Sequence, residues 1–329
     1  VKPLTPAAAS ARSTEVLARV SEAVVGNDEP LRLILSAFLA GGHVLVQDLP
    51  GLGKTLTARS FAQALGLGFG RVQFTPDLLP ADITGSFVYD PREATFEFRP
   101  GPVFTQLLLA DEINRTPPRT QAALLEAMQE GQVTVEGETY ALPEPFLVIA
   151  TANPLEYEGT YQLPEAQLDR FLLQVSFGYL APEQERDVLE RRLVRRQESQ
   201  QVAPVVDSDT VLAMQAAVER VSVEASVGDY VMDLVLATRQ RPEVLVGASP
   251  RGGLALLLCS RAYAVVDGRT FVSPEDVKAV AGAALAHRLT LRPEALLSGV
   301  TAAEVVRRVL TDVPVPPTAQ LPRHRPAPR

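Results

Sequence analysis

Short aliphatic runs alternate with helical periodicity through the first half of the chain. Residues 15–40 carry apolar positions at helical spacing, interrupted at "VVGNDEP". Residues 43–48 are a short aliphatic run, the pattern of a strand buried on both faces. A helix is predicted from about Lys54 to Leu65, and "GRVQFT" (70–75) predicts a second strand before a Pro- and Asp-rich connector. "GSFVYDPREATFEFRPGPVF" holds two alternating runs around "DPRE", the signal of an inserted β-hairpin. "QLLLADEIN" predicts an aliphatic strand that ends in two acids. "TPPRTQAALLEAMQEG" predicts a helix that starts at Thr116 with Pro just inside. Leu124, Leu125 and Met128 form its apolar face and Gly131 stops it. "QVTVEGETYAL" predicts a second hairpin turning at Glu136-Gly137, and "FLVIATANP" another buried strand. Strands alternating with helices predict an α/β domain whose parallel sheet is covered on both faces.

The strand signal fades after about residue 180. "PEQERDVLERRLVRRQ", "TVLAMQAAVERV", "GDYVMDLVLATRQ", "RGGLALLLCSRAYAVVDG" and "SPEDVKAVAGAALAHRL" are all helical in pattern. In "SPED" (273–276) a Ser stands at the cap, Pro follows, and acids fill the first turn. The expected organisation is a flexible lead-in over 1–14, an α/β core over 15–180, an all-α domain over 181–312, and a disordered Pro/Arg-rich tail over 313–329. There is no internal repeat.

Composition narrows the function classes. The formal net charge of −8 argues against non-specific binding to nucleic acid or anionic lipid. One cysteine, Cys259, excludes an intramolecular disulfide and points with the acidic balance to a reducing, cytoplasmic setting. The start "VKPLTPAAASARST" lacks the apolar centre of a secretory signal. The stretch "LRLILSAFLAGGHVLV" is too short to span a bilayer and is broken by Arg32, Gly41, Gly42 and His43, so no integral membrane segment is expected. His43, His287 and His324 lack metal-ligand spacing. Val188, Leu189, Leu193 and Val194 of the arginine-rich "RDVLERRLVRRQ" are expected to face inward, with the arginines solvated.

The candidate chemistry begins at "VLVQDLPGLGKTLTARSF". It follows the phosphate-loop pattern G-x-x-x-x-G-K-[ST], except that Asp48 stands at the first glycine. Gly51 and Gly53 allow positive φ, so successive N–H groups can cradle phosphate oxygens. The following helix turns its positive end to the same anion, and Pro50 can set the turn in place of the missing glycine. Lys54 can bridge phosphates, and Thr55 can ligate Mg²⁺. Lysine occurs at only three positions against 28 arginines, so a Lys inside a glycine turn carries information. Asp111 and Glu112 end a buried strand, at the sheet edge where ligands bind in parallel sheets. Asp111 can hold the metal shell and Glu112 can orient or deprotonate a water. Asn153 can bond the γ-phosphate or the water, or simply form an Asn-Pro turn. Arg170 suits a transferring phosphoryl group, or is an ordinary helix-end cation. Arg251, at a helix N-terminus, is unfavourable against the dipole unless it answers an anion.

The stretches "VVGNDEPLRLILSAFLAGGHVLVQDLPGLGKT", "LLLADEINRTPPRTQAALLEAMQEGQVTVEG", "ATANPLEYEGTYQLPEAQLDRFLLQVSFGY" and "ASPRGGLALLLCSRAYAVVDGRTFVSPEDV" closely resemble the MoxR family of AAA+ ATPases, over roughly 15–311. In that family Asp commonly replaces the first loop glycine, so the resemblance implies an intact site. It implies an AAA+ αβα core with a parallel sheet and a C-terminal all-α lid. The two hairpins match the helix-2 insert (84–100) and the pre-sensor hairpin (130–142). It assigns Val25, Gly26, Pro50, Gly51, Leu52, Gly53, Lys54, Thr55, Leu56 and Asp111 to ATP, with Thr55 and Asp111 on Mg²⁺. Glu112 activates the water, Asn153 is the sensor-1 residue, Arg170 the arginine finger and Arg251 the sensor-2 arginine. Ala152 departs from the Gln frequent before the sensor-1 Asn, and is expected to face away from the nucleotide. The resemblance further implies ring-shaped, usually hexameric homo-oligomers that act as chaperone-like motors on protein clients, often with a von Willebrand factor A domain partner. A nucleic-acid motor is disfavoured because the second hairpin carries Glu136 and Glu138 and no cation. A nucleotide-gated scaffold without turnover is the other alternative.

Overall fold

The structure, a computed structural model, describes residues 3–154, 160–161, 163–195 and 201–316. The expected tail lies outside the described residues from 317 on. In chain order, helices α1 (Pro6–Ala23) and α2 (Asp28–Leu39) precede strand β1 (Val44–Gln47). Helix α3 (Lys54–Ala64), strand β2 (Phe69–Gln73) and the short α4 (Pro80–Thr84) follow. A hairpin of β3 (Gly85–Asp90) and β4 (Thr95–Pro100) leads to β5 (Leu107–Asp111) and α5 (Pro118–Glu130). A second hairpin of β6 (Gln132–Val135) and β7 (Glu138–Ala141) leads to β8 (Leu147–Ala152), α6 (Glu165–Leu168) and β9 (Leu173–Val175). The remainder is mainly helical: α7 (Pro182–Arg195), α8 (Ser208–Val218), α9 (Ala225–Arg239), α10 (Pro250–Val266), α11 (Pro274–Leu285), α12 (Pro293–Leu297) and α13 (Ala302–Asp312). Two short antiparallel strands, β10 (Val244–Val246) and β11 (Thr290–Leu291), pair among these helices.

Five parallel strands in the order β2-β5-β8-β1-β9 form the central sheet. Their residues alternate between two cores, as a two-residue side-chain period requires. Val44, Val46, Leu107, Leu109, Leu147 and Ile149 face one core, while Leu45, Leu108, Ala110, Val148 and Ala150 face the other. The first core does not end at the sheet. It continues through α1, α2 and α3 into the C-terminal helices, taking in Leu256, Val277 and Val305. Helix α10 packs against both α1 and α2. The register sets Gln47 opposite Ala152, and Ala110 opposite Ala150. The C-terminal ends of β1, β8 and β5 therefore meet at one edge.

Three expectations are corrected. Helix α1 begins at Pro6, inside the stretch expected as a flexible lead-in. Thr5 caps it by accepting from the Ala8 N–H, Pro6 sits in the first turn, and Ala9, Ser10 and Ser13 are buried. The Ala-rich sequence reads as a linker only while its covering helices are unknown. Helix α5 starts at Pro118 rather than at Thr116, because a residue before proline is driven to extended backbone; Pro117 has φ −58° and ψ 153°. The expected inward face of α7 is exposed: Leu189 is 66% accessible, Leu193 76% and Val194 83%. Helical spacing shows which side chains would share a cover, and among the described residues none covers Leu193 and Val194.

Two histidines, His43 buried and His287 half-buried, carry a pH prediction. His43 Nε2 donates to the Met128 carbonyl (2.9 Å) and its Nδ1 accepts from the Val148 N–H (3.1 Å), so the ring is neutral. Burial pulls its pKa from 6.5 to about 4. Burial, then the charge of Arg288, pulls that of His287 to about 3. The unfolded chain takes up protons that the folded chain refuses between these values and 6.5. Stability is therefore full above about pH 6.5 and is lost as the pH falls toward 4 and then 3, by on the order of 3 kcal/mol per histidine. Thermal melts from pH 7 to 4 should show a falling midpoint. A His43→Gln protein should lose part of that slope.

Candidate functional site

The turn after β1 holds Gly51 at φ +84° and Gly53 at φ +78°, so the left-handed backbone expected of a phosphate cradle is present. Gly53 also stands at the N-cap of α3, where no side chain caps the helix. The first N–H groups of α3 thus lack an intrahelical or capping side-chain acceptor, and Lys54, Thr55 and Leu56 border a cavity of about 270 Å³. The same cavity is lined by Pro50, Gly51, Gly53, Asp111, Glu112 and Asn153. The sheet register explains this convergence, since the loop leaves β1, the acids end β5 and Asn153 follows β8.

Electrostatic order inside the cleft comes from its neighbours. Thr151 Oγ1 donates to Asp111 Oδ1 (2.7 Å) and accepts from the Glu112 N–H (2.8 Å). Arg71 donates to Asp111 Oδ2 (2.8 Å), and Gln73 Nε2 donates to Glu112 Oε2 (2.7 Å). Arg115 also pairs with Glu112 Oε2, at 3.2 Å. Glu112 itself sits at φ 58°, ψ 49°, a left-handed conformation that is uncommon for a residue with a side chain and clusters at functional sites. Lys54 Nζ donates to the Asp48 carbonyl (2.7 Å). The donor set fits Mg²⁺: a hydroxyl (Thr55) and a carboxylate (Asp111) share the cavity, and this ion takes few protein oxygens beside substrate phosphate and water. Among the described residues, no cluster of three or more His, Cys, Asp or Glu forms a closed metal cage.

Val25, Leu52 and Leu56 border an adjoining, mostly apolar cavity of about 390 Å³, with Gly51 and Gly53 shared between the two spaces. Gly26 lies next to it at φ +67°, under the Gln184 side chain of α7. Val188 and Leu189 of α7 form part of the wall, which accounts for half of the stripe expected to face inward.

Arg170 and Arg251 are not in the cleft. Both line a third cavity, beside Gly42, Met128, Leu254 and Arg288. Asp169 organises this corner. Arg288, with a side chain only 3% exposed, donates to Asp169 Oδ1 (2.7 Å) and to the Phe171 and Leu172 carbonyls. Arg251 Nε stands 3.9 Å from Asp169 Oδ2, so the anion facing it within its own chain is a carboxylate.

Sequence reasoning missed Arg71, Gln73, Thr151 and Arg288. Each contact joins residues far apart in the chain. Only the parallel register Gln73↔Asp111 brings β2 to the acids, and a polar "RVQ" strand beside an aliphatic one was the available signal.

Comparisons with known proteins bear on the family. The model of the ATPase family associated with various cellular activities (AAA) matches residues 43–173, and an AAA lid domain model matches 236–309. Chaperone MoxR1 of Mycobacterium tuberculosis is 41% identical over 92% of this chain and 82% of its own length. The uncharacterised protein YeaC of Bacillus subtilis is 46% identical over 90% of this chain and 92% of its own. The crystal structure of a candidate ATPase from Cytophaga hutchinsonii superposes with a TM-score of 0.87 at 40% identity, covering 93% of this chain and 96% of that one. The likeness spans 82% or more of each of these relatives, and the chain belongs to the MoxR family of AAA+ ATPases.

Proposed function

We propose that this protein hydrolyses Mg²⁺–ATP at sites shared between neighbouring subunits of a ring, and uses the cycle to remodel or activate a protein client in the cytoplasm. The observation that carries the reading is the separation of its two groups of residues. Loop glycines, Lys54, Thr55, Asp111, Glu112 and Asn153 line one cleft, while Arg170 and Arg251 line another. The cations that border the cleft, Lys54 and Arg71, are held by the Asp48 carbonyl and the Asp111 carboxylate, and a pair of arginines presented on a different face of the chain suits completion of the cleft of the next copy.

In this reading the N–H groups of residues 51–56 and the Lys54 ammonium hold the triphosphate, and Thr55 and Asp111 hold the metal. Bound Mg²⁺ would neutralise charge on the β- and γ-phosphate oxygens. Glu112 accepts a proton from the attacking water while Asn153 orients that water or the γ-phosphate. Bond formation from the water oxygen to the γ-phosphorus accompanies cleavage to ADP, which leaves with the charge that the loop already holds. Arg71 on Asp111 Oδ2 and Thr151 on Oδ1 hold the carboxylate that would take the metal in a fixed orientation. Arg170 of one copy serves the cleft of the next, and Arg251 beside it ties the lid to the same event. Ring assembly, ATP and Mg²⁺ are carried to this chain from the family resemblance.

The hairpins suit contact with a client. Tyr89 and Phe96 are exposed on the first, and Phe98 stacks on Tyr140 of the second with ring centroids 4.1 Å apart. A push on one hairpin is thereby passed to the other. A von Willebrand factor A domain partner is proposed from the family resemblance alone. The buried, unpaired Cys259, its thiol pushed up to about 12 by burial, suits a reducing compartment.

The test is ATP hydrolysis against protein concentration, with the assembly state recorded for each sample. Specific activity should rise with concentration and level off as the ring fills. Activity that is constant down to monomer would mean a site complete in one chain, and ATP binding with assembly but no turnover would favour a nucleotide-gated scaffold.

A further inference from the structure

Asp48 directly follows β1, at the position where the phosphate-loop pattern takes glycine. Its side chain does not point to solvent: the residue is 6% exposed. A carboxylate in that setting is costly unless its lone pairs are satisfied, and here they are. Oδ2 accepts from the Phe177 N–H (2.5 Å), the Gly178 N–H (3.0 Å) and Ser176 Oγ (3.2 Å), and Oδ1 accepts from the Leu49 N–H (2.9 Å). Three of the four donors lie on the strap that joins β9 to α7. The strap turns at Gly178, at φ +67°. Gly178 and Leu180 then form a wall of the apolar cavity beside the phosphate loop, facing Val25, Leu52 and Leu56. The backbone carbonyl of Asp48 meanwhile accepts from Lys54 Nζ (2.7 Å).

One residue therefore touches both halves of the nucleotide site. A glycine here would leave the turn possible and the strap untied. We infer that Asp48 is a positioning residue: its carboxylate fixes the 176–180 strap against the phosphate loop, and so builds the wall on which the base of the nucleotide packs. The inference rests on the nucleotide reading above. It assigns the departure from the loop pattern to base binding rather than to phosphate binding.

The two contributions separate when a ligand with a base is compared with one without. Wild type, Asp48→Asn and Asp48→Gly are titrated calorimetrically with ATP and with inorganic tripolyphosphate in the presence of Mg²⁺, and unliganded melting points are recorded. Asn keeps the shape but exchanges an acceptor oxygen for an N–H₂ that opposes the strap's donors. Both variants should bind ATP about tenfold more weakly, the scale of a lost charge-assisted hydrogen bond, with tripolyphosphate affinity unchanged. Should Asp48→Gly fail to fold, Asp48→Asn carries the comparison, and Ser176→Ala should shift ATP affinity in the same direction by less. Unchanged ATP affinity in Asp48→Asn overturns the inference. So does an equal loss for both ligands, which would place the effect in the phosphate cradle. A wild type that binds neither ligand overturns the nucleotide reading and this inference with it.

Discussion

Glu112→Gln is expected to bind ATP as the wild type does and to hydrolyse it about 10²- to 10⁴-fold more slowly, the range of a positioned general base. The substitution is nearly isosteric. Gln73 can still donate to the remaining carbonyl oxygen as it does to Glu112 Oε2, and Thr151 still accepts from the backbone N–H of residue 112. What disappears is the capacity to take a proton. Equilibrium binding and single-turnover hydrolysis, measured side by side, check this. Turnover at the wild-type rate would remove Glu112 from the mechanism, and equal loss of binding would mean that the charge serves the cleft's architecture.

Arg170→Ala should lower turnover by about 10³-fold, toward the lower end of what an arginine finger contributes, while leaving ATP bound. Arg170 lines no part of the cleft in its own chain, so a simple loss of activity would be hard to explain within one subunit. Mixing sharpens the result. Arg170→Ala and Glu112→Gln each spoil a different side of a shared interface, so roughly a quarter of interfaces in a randomly mixed ring would hold one intact member of each pair. Recovery of activity on mixing two inactive proteins is the expected outcome. No recovery, with mixed assembly demonstrated, would sink the shared site.

What the sequence made legible was local. Gly51 and Gly53, the acids closing "LLLAD", the Glu136-Gly137 turn and the "SPED" box each bring their residues within a few positions of one another. The structure has them as expected, down to Ser273 bonding the Asp276 N–H while Asp276 reaches back to the Ser273 N–H. Distant pairings escaped. The carboxylate of Asp48 meets a strap some 130 residues on, at separations that no short pattern encodes. Arg71 and Gln73 reach the acids only through the parallel pairing of β2 with β5. The α7 stripe was misread for a related reason: periodicity gives a face, and the protein that covers it need not be the same chain.

The unbroken core between sheet and lid bears on how the chain folds as it is made. Glu29 and Arg32 of α2 find Tyr263 of α10 and Asp267 at its C-cap, more than 230 residues later. Helix α1 can pack on α2 and α3 early, but the part of the α1 and α2 faces that α10 covers stays open until that helix has followed. Local helix formation is fast, but closure of such long loops is slow and leaves apolar surface open to aggregation in the interval. Helices α1 and α2 are thus made long before the helix that seals them, and the newborn chain has its own need for protection in that interval.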